Sequence, residues 1–256
     1  MKCRGGRLAF LFASWLISAG AWSAEATIAV AANFRHVALQ IAEVLEAETP
    51  HRYRIVAGST GALYAQIRNG APFDVFLAAD LARPEWLYDE GLTTADGVLT
   101  YATGRLALWM PDAEETVTAD GLLGPGVRRI AIANPQLAPY GAAAESFLKG
   151  LGLLDKVRPR LVLAGNVSAT YSLVASGNAE VGLVAASTLL EAGVAESAFT
   201  LAPVGSHRPI EQGAVLLARA AENAAAHYWY EWLQSDNMVP LLQAAGYQVP
   251  EALAGE

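Results

Sequence analysis

Short apolar runs alternate along this chain with stretches whose apolar residues recur every third or fourth position. Residues 27–33 (TIAVAAN) predict a strand. Val37, Ile41, Val44 and Leu45 follow at helical spacing and predict a helix with one buried face. Residues 53–58 predict a second strand, and Leu63 and Ile67 a helix that stops at Asn69-Gly70. Residues 74–80 (DVFLAAD) predict a third strand, with Asp80 capping the helix that holds Trp86 and Leu87. Unbroken apolar strands separated by helices predict parallel pairing with both sheet faces covered.

The rhythm then breaks. Residues 99–110 read as one long extended stretch of alternating character, followed by the polar segment PDAEETVTADG, a solvated surface. It restarts with a strand at 129–133, a helix through Phe147 and Leu148, a strand at 161–164, a helix ending near Gly177, and a strand at 181–185. Residues 199–204 are extended again, 212–219 predict one more strand, and a long helical tail carries Trp229, Trp232, Leu233, Leu241 and Leu242. This order predicts an α/β protein of two lobes, each a mixed or parallel sheet flanked by helices, joined by two extended crossings. The first lobe takes residues 27–103 and 206–256, and the second takes 104–205. A cleft between such lobes is a natural ligand site.

Composition changes the picture at the N-terminus. Lys2, Arg4 and Arg7 precede the apolar run 8–17, and small-residue cleavage patterns follow at Ala21-Trp22-Ser23 and Ala24-Glu25-Ala26. This predicts a secretory signal peptide over residues 1–26 and an exported protein; the run is short for a membrane span. Cleavage after Ala26 would remove three cations and Glu25, taking the formal charge from −8 to −10, and would remove Cys3, the single cysteine. The mature chain then has no disulfide, thiol chemistry or cysteine-bound metal. Its acidity argues against nucleic acid and anionic membranes as partners.

The candidate chemistry lies where strands run into helices. No carboxylate follows within three residues of Asn33, Ser59, Tyr140 or Val167. Helix N-termini present unpaired N–H groups and partial positive charge, so Asp and Glu usually collect there. Leaving several ends bare suggests that a bound anion supplies the negative charge. Asn33 and Ser59 end the first two strands, where ligands of open α/β sheets bind. Each also reads as an ordinary N-cap. Pro139-Tyr140-Gly141 opens a helix whose N–H groups, with the Tyr140 hydroxyl, can face the cleft; it also reads as a turn with a packing tyrosine. Asn166-Val167-Ser168 opens another, where Val167 offers its N–H alone.

Ala57-Gly58-Ser59-Thr60-Gly61 also resembles a nucleophile elbow, with His207 or His227 as base and Asp155 to orient it. Against a serine hydrolase stand the few strands before Ser59 and the lack of an upstream HGGG-type segment. The histidines at 36, 51, 207 and 227 show no metal-ligand spacing. Tyr228, Trp229, Tyr230 and Trp232 read as helix packing, and neither a P-loop nor a G-x-G-x-x-G motif occurs. No catalytic residue and no cofactor is expected.

At VAANF, AGSTGALYAQI, GAPFDVFLAAD, NPQLAPYGAAAESFL, GNVSATYSLVASGNAEVGLVAAS and the GYQVP tail, the chain resembles the periplasmic molybdate-binding proteins that serve ATP-binding-cassette importers. The resemblance covers essentially all of the mature chain. It implies a type II binding-protein fold, monomeric, that closes on molybdate or tungstate and hands it to a membrane permease. It implies ligand donors at Asn33, Ser59, Tyr140 and Val167, with a backbone contact at Ala32. Many relatives have serine at Asn33, and a ligand-contacting tyrosine at Ala185, whose missing hydroxyl Tyr140 would supply. Sulfate or another tetrahedral oxyanion is the alternative ligand. A donor-only site favours fully deprotonated ions over hydrogen phosphate, whose O–H would find no acceptor, at about 1–3 kcal/mol.

Overall fold

Alternation of small and branched apolar residues, as in EATIAVA, lets a strand be covered on both faces, and such strands build the centre of each half. The computed structural model describes residues 23–111 and 117–254. The proposed leader lies largely outside the described residues, as does part of the polar segment after Met110. Strand β1 (Glu25–Ala31) pairs in parallel with β2 (Arg52–Gly58) on one side and β3 (Val75–Leu77) on the other. The antiparallel strands β10 (Glu211–Leu216) and β4 (Leu99–Thr103) complete the sheet in the order β2-β1-β3-β10-β4. A second sheet has the order β7-β6-β8-β5-β9: β6 (Ile130–Ala133) is parallel to β7 (Leu161–Ala164) and β8 (Val181–Ala185). There β5 (Leu106–Trp109) runs antiparallel to β8 and β9 (Phe199–Leu201).

Helices α1 (Arg35–Glu48), α2 (Thr60–Arg68) and α3 (Ala82–Asp89) follow the first three strands. Helix α1 buries Val37, Ile41 and Leu45 against the first sheet, each burial stabilising by about 1.5–3 kcal/mol, while Val44 stays exposed. Helices α4 (Pro139–Gly150), α5 (Leu154–Val157), α6 (Val167–Ala175) and α7 (Ala186–Glu191) clothe the second sheet. Helices α8 (Ala224–Trp232) and α9 (Met238–Ala244) return to the first. Among the described residues no helix is long and apolar enough to cross a membrane.

Several expectations are corrected. The stretch 99–110 is two strands, β4 and β5, in different sheets, because the chain crosses between lobes at Gly104-Arg105. The helical tail is two helices, interrupted at residues 233–237. Asn33 lies not in β1 but in a short 3-10 turn, Ala32–Phe34. Asp80 does serve the first turn of α3, but from one residue before the boundary position Leu81: the helix starts at Ala82, and Asp80 Oδ1 accepts the Arg83 N–H at 3.2 Å. Helices α5 and α7 are additions.

Residues 24–26 belong to the fold. Ala24 O accepts from Arg52 N at 3.0 Å, Asn223 Nδ2 donates to Glu25 O at 2.9 Å, and Ala26 is fully buried in β1. A cut after Ser23 leaves β1 whole, whereas a cut after Ala26 would delete its first two residues.

One carboxylate ties the second sheet together at its far end. Burial works against ionisation of Glu180, but hydrogen bonds from Arg129 N (2.6 Å), the Arg129 guanidinium (3.2 Å) and Arg128 N (3.1 Å) outweigh it. They hold its pKa down at about 2, against an ordinary 4.5. A depressed carboxylate stabilises the fold above its unfolded pKa and loses that contribution as pH falls through its folded one. Glu180→Gln is therefore expected to lower the melting temperature at neutral pH, with the gap to the parent closing between pH 4.5 and about 2. A gap constant through that window, in an acid series of thermal melts, would refute this.

A crevice of helix N-termini between the lobes

Strands β1 and β2 are neighbours in one sheet, β6 and β7 in the other, and the carboxyl ends of all four point at one crevice. Ala32 and Asn33 reach it from the end of β1, Ser59 and Thr60 from β2, Pro139 and Tyr140 from α4, and Asn166 and Val167 from the start of α6. The structure thus brings together the five residues expected to hold an anion, Ala32, Asn33, Ser59, Tyr140 and Val167. The crevice is small, about 200 Å³ of space free of atoms with part of it open to solvent. Among the described residues, none that lines it carries a charged side chain.

Local sequence explains each end. Ser59 is the N-cap of α2, its Oγ accepting from Ala62 N at 3.4 Å, so its hydroxyl proton remains available to donate. Asn166 caps α6 through Oδ1, which accepts from Ala169 N at 2.9 Å, leaving the N–H of Val167 at the first helical position. In α4, proline opens the helix and Tyr140 follows. A Cβ on Gly141 would lie 2.2 Å from Ala133 O, so only glycine lets this helix start hard against the end of β6. The first N–H groups of a helix lack intrahelical acceptors, and those of Thr60, Tyr140 and Val167 are in that position. None of α1, α2, α4 and α6 has an acidic residue in its first turn, but neither have α7, α8 and α9. The bare end is therefore not diagnostic; the convergence of several ends is.

Two side chains are employed differently from the sequence expectation. Asn33 is 3% exposed, and its Nδ2 donates to Gln212 Oε1 and to Tyr247 Oη, both at 3.0 Å. Its carbonyl accepts from Tyr247 Oη at 2.8 Å and from Ser187 Oγ at 3.3 Å. Its side-chain protons are thus committed to the fold, and its N–H, with that of Ala32, is what the 3-10 turn leaves at its start. The Tyr140 hydroxyl is buried and makes no well-formed hydrogen bond among the described residues, though Ser187 lies near enough to offset part of the effect of burial on its pKa. It points toward the crossing, where a Cβ on Gly104 would lie 2.2 Å from it. Burial, with Tyr247 nearby, pushes its pKa well above the usual tyrosine range, so it stays a neutral donor. Ala185 is fully buried and offers no side-chain donor where a tyrosine was considered.

The polar scaffold behind Asn33 escaped the sequence reading. Gln212 is fully buried in β10, with Tyr101 Oη 2.9 Å from its Oε1. Tyr247 follows α9, and the next residue, Gln248, pairs with Thr103 at the end of β4. A lone glutamine in an apolar strand was the one available signal. The hydrolase reading finds no support in this geometry: His207 and His227 do not line the crevice, and each ring contacts a backbone carbonyl, of Arg208 and of Ala221. Among the described residues no cluster could hold a metal ion.

The lobes meet around the crevice. Ala31 at the end of β1 and Ala79 just after β3 pack with the core of the second lobe. Ser168 Oγ donates to Ala32 O at 3.2 Å, and Gly61 N donates to Leu137 O at 2.8 Å.

Residues 26–248 match the family model for bacterial extracellular solute-binding proteins. The molybdate-binding protein ModA of Azotobacter vinelandii is 38% identical over 244 residues, covering 94% of this chain and 96% of the relative. ModA of Rhodobacter capsulatus is 37% identical over 223 residues, 87% of this chain and 88% of the relative. The solved structure of the Azotobacter vinelandii periplasmic molybdate-binding protein superposes with a TM-score of 0.83 at 37% identity, covering 88% of this chain and all of that one. With this match across nearly its whole length, and a crevice of uncharged donors between two lobes, the chain belongs to the bacterial extracellular solute-binding protein family.

Proposed function

We infer that this protein is a receptor, not an enzyme, that captures molybdate, and tungstate with it, and delivers the ion to the membrane permease of an ATP-binding-cassette importer. One observation carries this reading: two helix N-termini from each half of the molecule, or their flanking turns, converge on a small crevice that holds donors and no charged side chain. The relatives named as molybdate-binding proteins support the choice of ion. In this reading the ion is held by N–H groups at Asn33, Ala32, Ser59, Tyr140 and Val167 and by the Ser59 hydroxyl. Charge-assisted bonds and helix dipoles replace its hydration shell. The protein needs no cofactor.

The ion stabilises the closed arrangement because donors from both lobes reach it only there. The hinge is the pair of crossings at Gly104-Arg105 and residues 202–210, joined by the bond from Gly104 N to Ile210 O at 2.9 Å. Lobe boundaries fall at 103/104 and 205/206. We place the mature protein in the periplasm as a monomer, released from its leader by a cut after Ser23.

Titration calorimetry of the mature protein with molybdate, tungstate, sulfate and phosphate tests the reading. Tight binding of the first two and weak binding of phosphate is expected. Preference for sulfate would transfer the receptor to the alternative ligand, and no binding of any would overturn it. Ser59→Ala removes one charge-assisted donor and a cap. It is expected to weaken molybdate binding by about 10- to 100-fold and to lower stability by about 1 kcal/mol. An unchanged calorimetric affinity would remove Ser59 from the site.

A further inference from the structure

The loop that carries Tyr140 into the crevice is gripped at its tip by the opposite lobe. Residues 134–138 form a tight turn: Asn134 Oδ1 accepts from Gln136 N at 3.0 Å, and Asn134 O accepts from Leu137 N at 3.0 Å and Ala138 N at 2.9 Å. The turn is therefore rigid and continuous with Pro139-Tyr140. Across the cleft, Arg83 Nη2 donates to Gln136 O at 3.1 Å, beside the bond from Gly61 N to Leu137 O. Arg83 does not line the crevice. Its guanidinium is held by Asp80, which pairs with Nη1 and also accepts the Arg83 backbone N–H. The Arg83 side chain is 15% exposed, well covered for a cation at a cleft mouth. Asp80 is itself anchored: its carbonyl accepts from Gly213 N at 3.2 Å, and the neighbouring Ala79 N donates to Thr60 Oγ1 at 3.0 Å, next to Ser59.

Resting on the receptor reading above, we propose that Arg83 is a latch: a positioning residue that sets the lifetime of the closed, ion-bound state without touching the ion. Asp80 pre-aims the guanidinium, so little side-chain freedom is lost when the lobes meet. The planar fork lets one nitrogen hold Asp80 while another reaches Gln136 O. Because Gln136 and Tyr140 belong to one rigid segment, gripping the carbonyl holds the Tyr140 N–H over the ion. The contact is to protein alone, so it acts equally on every ion the crevice accepts.

The test is stopped-flow release of molybdate and of tungstate from the mature protein, with calorimetric affinities for both ions, in the parent, Arg83→Ala and Arg83→Lys. In Arg83→Ala, release of both ions is expected to be about tenfold faster, as for loss of one bond with a charged donor. The association rate and the ratio of the two affinities should be unchanged, and any fall in the ligand-free melting temperature from losing the pair with Asp80 should be matched by Asp80→Asn, which leaves the Gln136 contact available. Lysine can keep the pair with Asp80 but lacks the fork, so Arg83→Lys should also release faster than the parent. Parental release by the alanine variant, full recovery by lysine, or a shifted affinity ratio would each overturn the latch while leaving the receptor reading intact. A parent that binds neither ion would overturn both.

Discussion

Gly61→Ala is expected to leave the ligand-free protein at least as stable as the parent while weakening oxyanion binding on the order of a hundredfold. The two effects have separate physical causes. Gly61 lies in the first turn of α2, and alanine is the better helix former by about 0.5–1 kcal/mol. In the closed arrangement, however, a Cβ there would sit 2.9 Å from Leu137 O, 3.1 Å from Leu137 Cα and 3.2 Å from Arg83 Nη2. Two of those atoms are backbone of a turn pinned by Asn134, so the neighbour cannot give way cheaply. Overpacking of this kind costs about 1–3 kcal/mol, and the bond from Gly61 N to Leu137 O is strained or lost with it. In an open state of the proposed receptor, with the turn withdrawn, none of this would be felt. Thermal melts without ligand and calorimetry with molybdate, on the same preparation, check the prediction. Equal losses of stability and affinity would mean that Gly61 matters to folding and not to closure.

Asn33→Asp is expected to have the larger effect on binding, about a thousandfold or more. Asn33 lines the crevice at 3% exposure with its amide turned toward Gln212 and Tyr247, so a carboxylate on that side chain would lie just behind the proposed dianion site with little water between. Two unit charges 4 Å apart interact by about 4 kcal/mol at an effective dielectric constant of 20, and a dianion doubles that. The fold should survive, because the surroundings can adapt. Gln212 Nε2 is buried and without a partner among the described residues, and turning the amide would aim it at the new carboxylate. Tyr247 Oη can redirect its proton from the Asn33 carbonyl to the same group. A variant that melts near the parent yet fails to bind or take up tungstate is the expected result. Unaltered uptake would contradict a site built on uncharged donors.

These substitutions show how the site divides between local and distant information. Ser59 and Asn166 cap their helices through oxygens three residues from the N–H they receive, and such spacing can be read along the chain. The strands at 161–164 and 181–185 were legible for a related reason: each is a short apolar run that starts directly after a charged residue, Arg160 or Glu180, and the first also ends at Gly165. The stretch 99–110 was misread because its alternation is that of a strand throughout, and nothing local says that its halves belong to different sheets. The bare helix ends were visible, but α7, α8 and α9 are bare as well, so composition alone could not say which ends meet. Nor could it assign the Asn33 amide. Its partners, Gln212 and Tyr247, lie 179 and 214 residues away.

By itself, then, the order of residues determined the alternation of strands and helices, the caps, and the supply of free N–H groups at helix starts, because hydrophobic periodicity and capping act over a few neighbouring positions. The tertiary structure alone decided that these ends face one another across a crevice, that the Asn33 side chain is spent on Gln212 and Tyr247, and that Gly61 and Arg83 bond to the turn at Gln136-Leu137. Those contacts join segments from 53 to 214 residues apart, and only packing both sheets into one body brings their dipoles and donors to a common point.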